Sequence, residues 1–292
     1  MEKPHKVLLV GNAVVDLVAA VDFYPPEDAE CRADSLRLSC GGNCANTLTV
    51  LSQYPLAGYF AGTLATDDFS KVIKSHLFEH NIRLQYVHYQ PNSKTPVSIV
   101  WNAADSGTRT IVHYRDLPEY SFQSFESIKT NEFAWIHFEG RNIDQIKLML
   151  NHLTATDFQG SISLEVEKSR EGIENIFNKV NYINFSKHYV LENSFNQATD
   201  FMQSLNIKNN ISFTVTWGDQ GVYWSHNGKT GFHKAKNNLN IVDSIGAGDT
   251  FNAGLIANLL LGESFENSVS LANQLAAKKI QQHGFDNLVV NV

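Results

Sequence analysis

Short apolar, β-branched runs alternate with longer helical patterns along most of these 292 residues, and no other feature restricts the fold as far. Strands separated by helix-length segments are joined by crossovers, and crossovers build a mainly parallel sheet with helices on both faces. The pattern predicts strands over Lys6 to Val10, Gly58 to Ala61, Ala134 to Phe138, Ser161 to Val166, Tyr182 to Phe185 and Ser212 to Thr216. It predicts helices over Gly42 to Tyr54 and Asp67 to His80, the second opening near Asp67 or Asp68. Two more follow, roughly Thr250 to Leu261 and Phe265 to His283, with Gly262 as the stop between them.

Four runs break the alternation. Val14 to Val21, Asp28 to Leu38, Val97 to Asn102 and Arg109 to Tyr114 read as strands with no helix between the members of each pair. They are expected to form a small antiparallel β lid, contributed by about residues 12–39 and 95–115. Such a lid would cover the carboxyl ends of the parallel strands, where open α/β sheets bind ligands. No repeat, low-complexity tract or linker divides the chain, so residues 1–292 are expected to form one α/β domain.

Charge and composition exclude several function classes. The formal charge of −7 argues against nucleic acid or an anionic membrane as partner, and means that a polyphosphate must be held by local donors. No apolar run approaches the ~20 residues of a membrane span. The amino end enters the first strand without a signal-peptide core, so a cytoplasmic location is expected. Cys31, Cys40 and Cys44 lie close together without a Cys-x-x-Cys, which favours reduced thiols over a metal knuckle. The eleven histidines show no metal-ligand spacing.

The richest chemistry lies in Asp243-Ser-Ile-Gly-Ala-Gly-Asp249-Thr-Phe-Asn-Ala-Gly254. Gly246 and Gly248, flanking Ala247, let the backbone approach a ligand closely. A helix opening at Asp249 would aim unpaired N–H groups and a positive dipole end at it. An anion nest with a carboxylate at its lip suits phosphoryl transfer. The competing reading is a tight turn with Asp249 as a helix cap. The loop lacks the Gly-Lys-Ser/Thr of a Walker motif.

A second cluster reads Gly41-Gly42-Asn43-Cys44-Ala45-Asn46. Asn43 and Asn46 would share a helix face, and amides suit the hydroxyls of a polyol. Asp16 interrupts an apolar strand and needs a partner, which a sugar hydroxyl could supply; helix capping and a strand-end turn compete with these readings. Phosphate-side candidates are Arg109, Lys187 and the Gly218-Asp219-Gln220-Gly221 turn, with surface ion pairing as the alternative for the two cations.

Gly41-Gly42-Asn43 with Asn46, and Asp243 to Leu255, resemble the two signatures of the ribokinase-like (PfkB) sugar kinases. Tyr24-Pro25-Pro26-Glu27-Asp28, Trp135 to Asn142, Glu165-Val166-Glu167-Lys168 and Gly284-Phe285-Asp286 are similar to the ketohexokinase branch of that family. The resemblance runs essentially the length of the chain. It implies a ribokinase-like α/β fold and ATP-dependent phosphorylation of D-fructose to fructose 1-phosphate, with phosphorylation of another sugar or a nucleoside, and a catalytically silent sugar-binding protein, as the alternatives. It implies Asp249 as general base and Gly246, Ala247 and Gly248 as donors to the transferred phosphoryl. Asp16, Gly42, Asn43 and Asn46 would hold the sugar, with Asp28 reaching across a homodimer formed through the lid. Arg109 and Lys187 would meet ATP phosphates, Gly218 to Gly221 would line the nucleotide, Mg2+ would accompany ATP, and Asp243 would help bind K+. Two departures stand out. Asp219 replaces a glutamate common in similar proteins, and Lys234 to Asn240 lacks the proline-rich character of close relatives.

Overall fold

The computed structural model describes residues 4–106 and 108–289; Met1 to Lys3, Gly107 and Val290 to Val292 lie outside the described residues. In chain order the first half contains β1 (His5–Val10), β2 (Val14–Val21), β3 (Ser35–Gly41), α1 (Asn43–Leu51), β4 (Leu56–Ala61), β5 (Thr63–Ala65), α2 (Asp68–Glu79), β6 (His88–Gln90), β7 (Val97–Ala103) and β8 (Arg109–Tyr114). The second half continues with α3 (Phe122–Phe125), β9 (Trp135–Glu139), α4 (Ile143–Ala155), β10 (Ser161–Val166), β11 (Tyr182–Ser186), α5 (Lys187–Glu192) and α6 (Ala198–Ser204). It closes with β12 (Ser212–Thr216), β13 (Gly221–His226), β14 (Lys229–Lys234), α7 (Ala247–Leu260) and α8 (Phe265–Lys279).

Eight strands form the main sheet in the order β14-β13-β12-β11-β10-β9-β1-β4. From β4 to β12 every pair is parallel. Parallel strands are covered on both faces, which is why Val7 to Val10 read as an unbroken apolar run. Leu8 and Val10, with Ile136, Phe138 and Leu164, pack against Ile146, Met149 and Leu153 of α4. Val7, Leu9 and Trp135 face the other way, into Leu48 of α1, Ile73 of α2 and Ile256 of α7. The antiparallel hairpin β13–β14 is an addition to the expected strands. Its turn is Asn227-Gly228, whose φ angles of 49° and 76° suit a type I′ turn.

The lid is a four-stranded sheet, β3-β2-β7-β8. Its outer pairs are antiparallel, whereas the central pair β2–β7 runs parallel. The strand expected over Asp28 to Leu38 starts only at Ser35, opposite Ala20, and continues to Gly41. Residues 28–34 alternate, but their apolar members, Ala29, Cys31 and Ala33, are too small to anchor a strand by burial, and all but Cys31 are exposed; Asp28 sits in an exposed turn with φ 57°. Lateral pairing of Leu38 with Leu17, Leu17 with Ile99 and Ile99 with Val112 puts these side chains on one face, away from the cleft. Leu36, Leu38, Val112 and Tyr114 are exposed there. Asp16, Ser98, Arg109 and His113 occupy the opposite face, towards the main sheet. No helix among the described residues is long and apolar enough to cross a membrane, and Cys31, Cys40 and Cys44 are free thiols.

Candidate active site

From β1 the chain fills the sheet first towards β4 and later towards β9, so the strand order reverses between β1 and β9. The crevice at such a switch point is where this architecture binds ligands. A cleft of about 560 Å³ opens there. Its floor comes from strand carboxyl ends: Asn12 after β1, Glu139 of β9, Glu165 of β10, Asn184 of β11 and Thr216 of β12. The lid roofs it, and Gly246 to Asp249 close one wall.

That wall is the amino end of α7. Gly246 is the cap residue, at φ 78°, and a Cβ there would overlap the Phe285 ring as well as straining the backbone. The helix therefore begins at Ala247, two residues earlier than the sequence reading placed it. Asp249 is its third residue, so its N–H and that of Gly248 belong to the first turn, which lacks intrahelical acceptors. Its side chain does not cap the helix. Instead Oδ2 accepts a hydrogen bond of 2.7 Å from Asn46 Nδ2. From Asp249 to Ala257 the helix is buried on every side. Burial, reinforced by the charges of Glu139, Glu167 and Asp16, pushes the Asp249 carboxyl up to about 7, against the Asn46 hydrogen bond.

On the opposite side Gly42 caps α1 at φ 99°, its Cα facing the Asn12 carbonyl so closely that a Cβ would collide with it. Neither asparagine caps that helix. Asn43 Nδ2 donates to Glu165 Oε2 at 3.1 Å and to Glu167 Oε2 at 3.3 Å. Asp16 lies on β2 beside Gly41, where burial raises its carboxyl above the usual range and a Ser98 hydrogen bond opposes the rise. Asp16, Gly42, Asn43, Asn46 and Asp249 thus line one end of a single cleft.

The phosphate-side candidates divide. Arg109 lines the cleft, and its Nη1 donates to Ser244 Oγ at 3.2 Å, joining the lid to the loop before α7. Lys187 and Gly218 to Gly221 are outside the lining; they follow Ser186 and Thr216, which are part of it. Lys187 Nζ lies 5.5 Å from the centroid of the Trp217 ring, beside Gly218, Asp219 and Gln220. Asp28 does not line the cleft of its own chain. Asp243 binds within its own protein: Oδ1 accepts from the Ile245 N–H at 2.9 Å, and Oδ2 from Lys279 Nζ at 3.2 Å.

Several lining residues carried no assignment from sequence. Glu165 is held by Asn43 and, at 2.9 Å, by Asn252 Nδ2. A relay continues from Thr214 Oγ1 to Asn184 and from Asn184 to Asn252, which fixes every amide in orientation. Burial and the neighbouring Asp249 hold the Glu165 carboxyl well above its ordinary value. Glu139 accepts from the Asn12 N–H at 2.8 Å and lies 3.7 Å from Arg141. Lys168, Arg115 and Arg141 add positive charge to the same cleft. An acid near the carboxyl end of a buried strand, as in Trp-Ile-His-Phe-Glu139 and Ser-Ile-Ser-Leu-Glu165-Val, is the signal that could have flagged these two.

Residues 4–290 match the profile of the pfkB family carbohydrate kinases. The chain is 31% identical to mouse ketohexokinase over 97% of its own length and 99% of that protein. This chain belongs to the pfkB family of carbohydrate kinases. Ribokinase of Bacillus subtilis is a more distant relative, 21% identical over 96% of this chain and 94% of that one. The kinase fold is ribokinase-like: a putative ribokinase from Agrobacterium tumefaciens superposes with a TM-score of 0.82 at 19% identity, covering 96% of this chain and 92% of that chain. This kinase therefore uses ATP to phosphorylate a sugar.

Proposed function

We propose that this kinase transfers the γ-phosphoryl group of ATP to the 1-hydroxyl of D-fructose, giving fructose 1-phosphate. The observation that carries the transfer step is the Asn46–Asp249 hydrogen bond of 2.7 Å at the lip of the α7 amino end. It holds a base with a pKa of about 7, near the ambient value at which general bases work best. The ketohexose assignment is supported by the near full-length likeness to mouse ketohexokinase and by the polar set Asp16, Asn43 and Asn46.

In this reading Asp16, Gly42, Asn43 and Asn46 bind sugar hydroxyls, and Asp249 removes the proton from the hydroxyl that attacks phosphorus. The N–H groups of Gly246, Gly248 and Asp249, with that of Ala247 bonded only at 3.4 Å to the Ser244 carbonyl, meet the charge that develops on the transferred group, where one such donor contributes about 2.7–4 kcal/mol. Arg109 approaches the phosphates from the lid, Lys187 from the start of α5, and Gly218, Asp219, Gln220 and Gly221 line the nucleotide. A Mg2+ entering with ATP takes most of its oxygens from phosphate and water. Glu167 fits a remaining position, since it lines the cleft half-exposed and meets only the Asn43 amide and, at 3.8 Å, Lys168 among the described contacts. When bound, that ion would spread the phosphate charge.

The reading includes a homodimer. The apolar outer face of the lid, with Leu36, Leu38, Val112 and Tyr114 exposed, is the kind of surface a second copy covers. Asp28, at the lid margin, would then reach the partner's sugar. A coupled assay of ADP release with fructose, ribose and adenosine tests the substrate, and phosphorus NMR of the product tests the position. Turnover of ribose or adenosine without fructose would overturn the ketohexose assignment. A 6-phosphate product would overturn the choice of hydroxyl.

A further inference from the structure

Lys279, on the last turn of α8, is fully buried. An isolated ammonium in such a place costs several kcal/mol, about the amount that drives buried ions to find partners. Its three N–H donors find three oxygens: the Asp243 carbonyl at 3.1 Å, Asp243 Oδ2 at 3.2 Å and the Gln282 carbonyl at 3.4 Å. The Phe285 ring covers another side, 5.4 Å from Nζ to its centroid. Two backbone carbonyls and a carboxylate are the hard oxygen ligands of an alkali cation, but here a side chain fills the set. The K+ role expected of Asp243 therefore does not fit the residues present.

This cage touches the phosphate nest from two directions. Asp243 Oδ1 accepts from the Ile245 N–H, and Gly246 packs under Phe285, so the ammonium holds both ends of the turn that sets Gly246 to Asp249. The Val242 and Asp243 N–H groups add bonds to the Ile280 carbonyl. We infer that Lys279 is a built-in cation, a positioning residue whose ammonium orders the 243–246 turn in place of a free monovalent ion. Sugar transfer in this protein accordingly needs no K+ or Na+.

The test compares tetramethylammonium chloride, too large for the cage, with KCl at equal ionic strength. Wild-type kcat and melting temperature are expected to be the same in both salts, kcat within about twofold, where a coupled effector typically gives about 5–150-fold. Lys279→Met leaves the oxygens without their cation. It is expected to lower kcat by about 5–150-fold in tetramethylammonium, with the KM for sugar little changed. KCl should restore much of that kcat and raise the variant's melting temperature. A K+-specific change in wild-type kcat or melting temperature would overturn the inference, whether or not the variant folds. So would a Lys279→Met protein with full kcat and no response to K+. The melting comparison needs no substrate, so failure of the fructose assignment leaves it intact.

Discussion

Replacing Asp249 by asparagine separates two things the wild-type residue does: it serves the reaction in the proposed mechanism, and it burdens the fold. Its carboxyl moves from an ordinary value of 3.8 to about 7 because burial penalises the charge. The folded protein thus binds this proton more tightly than the unfolded chain. The stability contributed by the protonated form is complete below about pH 4 and is lost as pH rises through about 7. At 1.36 kcal/mol per pKa unit, the full loss amounts to about 4 kcal/mol at pH 8 and about 2 kcal/mol at pH 5. Asp249→Asn stays neutral throughout and keeps an oxygen for the Asn46 amide. It is therefore expected to be more stable than wild type by these amounts, with turnover lower by about 100–10,000-fold and sugar binding retained. Urea denaturation of both proteins at the two pH values reads the gap directly. A variant no more stable than wild type at pH 8, or a gap that ignores pH, would refute the argument that the buried charge is destabilising. Near-normal turnover would refute the role of Asp249 as base.

Four further outcomes follow from the structure. Gly246→Ala should lower stability by at least about 1–2 kcal/mol, the usual penalty of the left-handed backbone, before the overlap with Phe285 is counted. Gly248→Ala should leave the melting temperature unchanged or higher, since nothing lies within 4 Å of the added methyl, yet turnover should collapse because that methyl enters the proposed phosphate nest; thermal melting with a rate assay separates the two glycines. Asn46→Ala removes the donor that holds the Asp249 carboxyl down, so the acidic limb of the kcat/KM profile should move to higher pH, measured as a pH–rate series. Leu38→Glu puts a charge on the apolar outer face of the lid and should convert a dimer to monomers by light scattering with Gly246 to Asp249 undisturbed; an unchanged mass, or a wild-type monomer, would count against the dimer.

The parallel core was legible because both-face burial leaves strands such as Val7 to Val10 without polar interruptions, and Ser161 to Val166 and Ser212 to Thr216 came out at the same limits in structure. The β13–β14 hairpin escaped despite Asn227-Gly228. Its edge strand, Lys-Thr-Gly-Phe-His-Lys, buries little, and Gly221 drew attention as a ligand turn instead. The parallel pairing at the centre of the lid depends on which strands become spatial neighbours, which local pattern does not encode. In the cleft, glycines beside Asn43, Asn46 and Asp249 marked backbone that must approach something closely. Gly140 follows Glu139 but carried no such reading, and Glu165 has no glycine beside it; their partners Asn12 and Asn252 lie far away in sequence. Lys279 is hidden more thoroughly still, because a lysine in the last turn of a helix reads as an exposed complement to the helix dipole.

The Asn46–Asp249 hydrogen bond spans 203 positions of chain, and this has a consequence for how the enzyme comes into being. Such a contact can form only after most of the intervening sheet has assembled, since loop closure of that length must be supported by other native contacts. During synthesis Asp16, Asn43 and Asn46 emerge long before α7. No growing chain short of Asp249 can hold the site as proposed here. The charged, destabilising end of the cleft is thus added last, onto a scaffold already able to tolerate it.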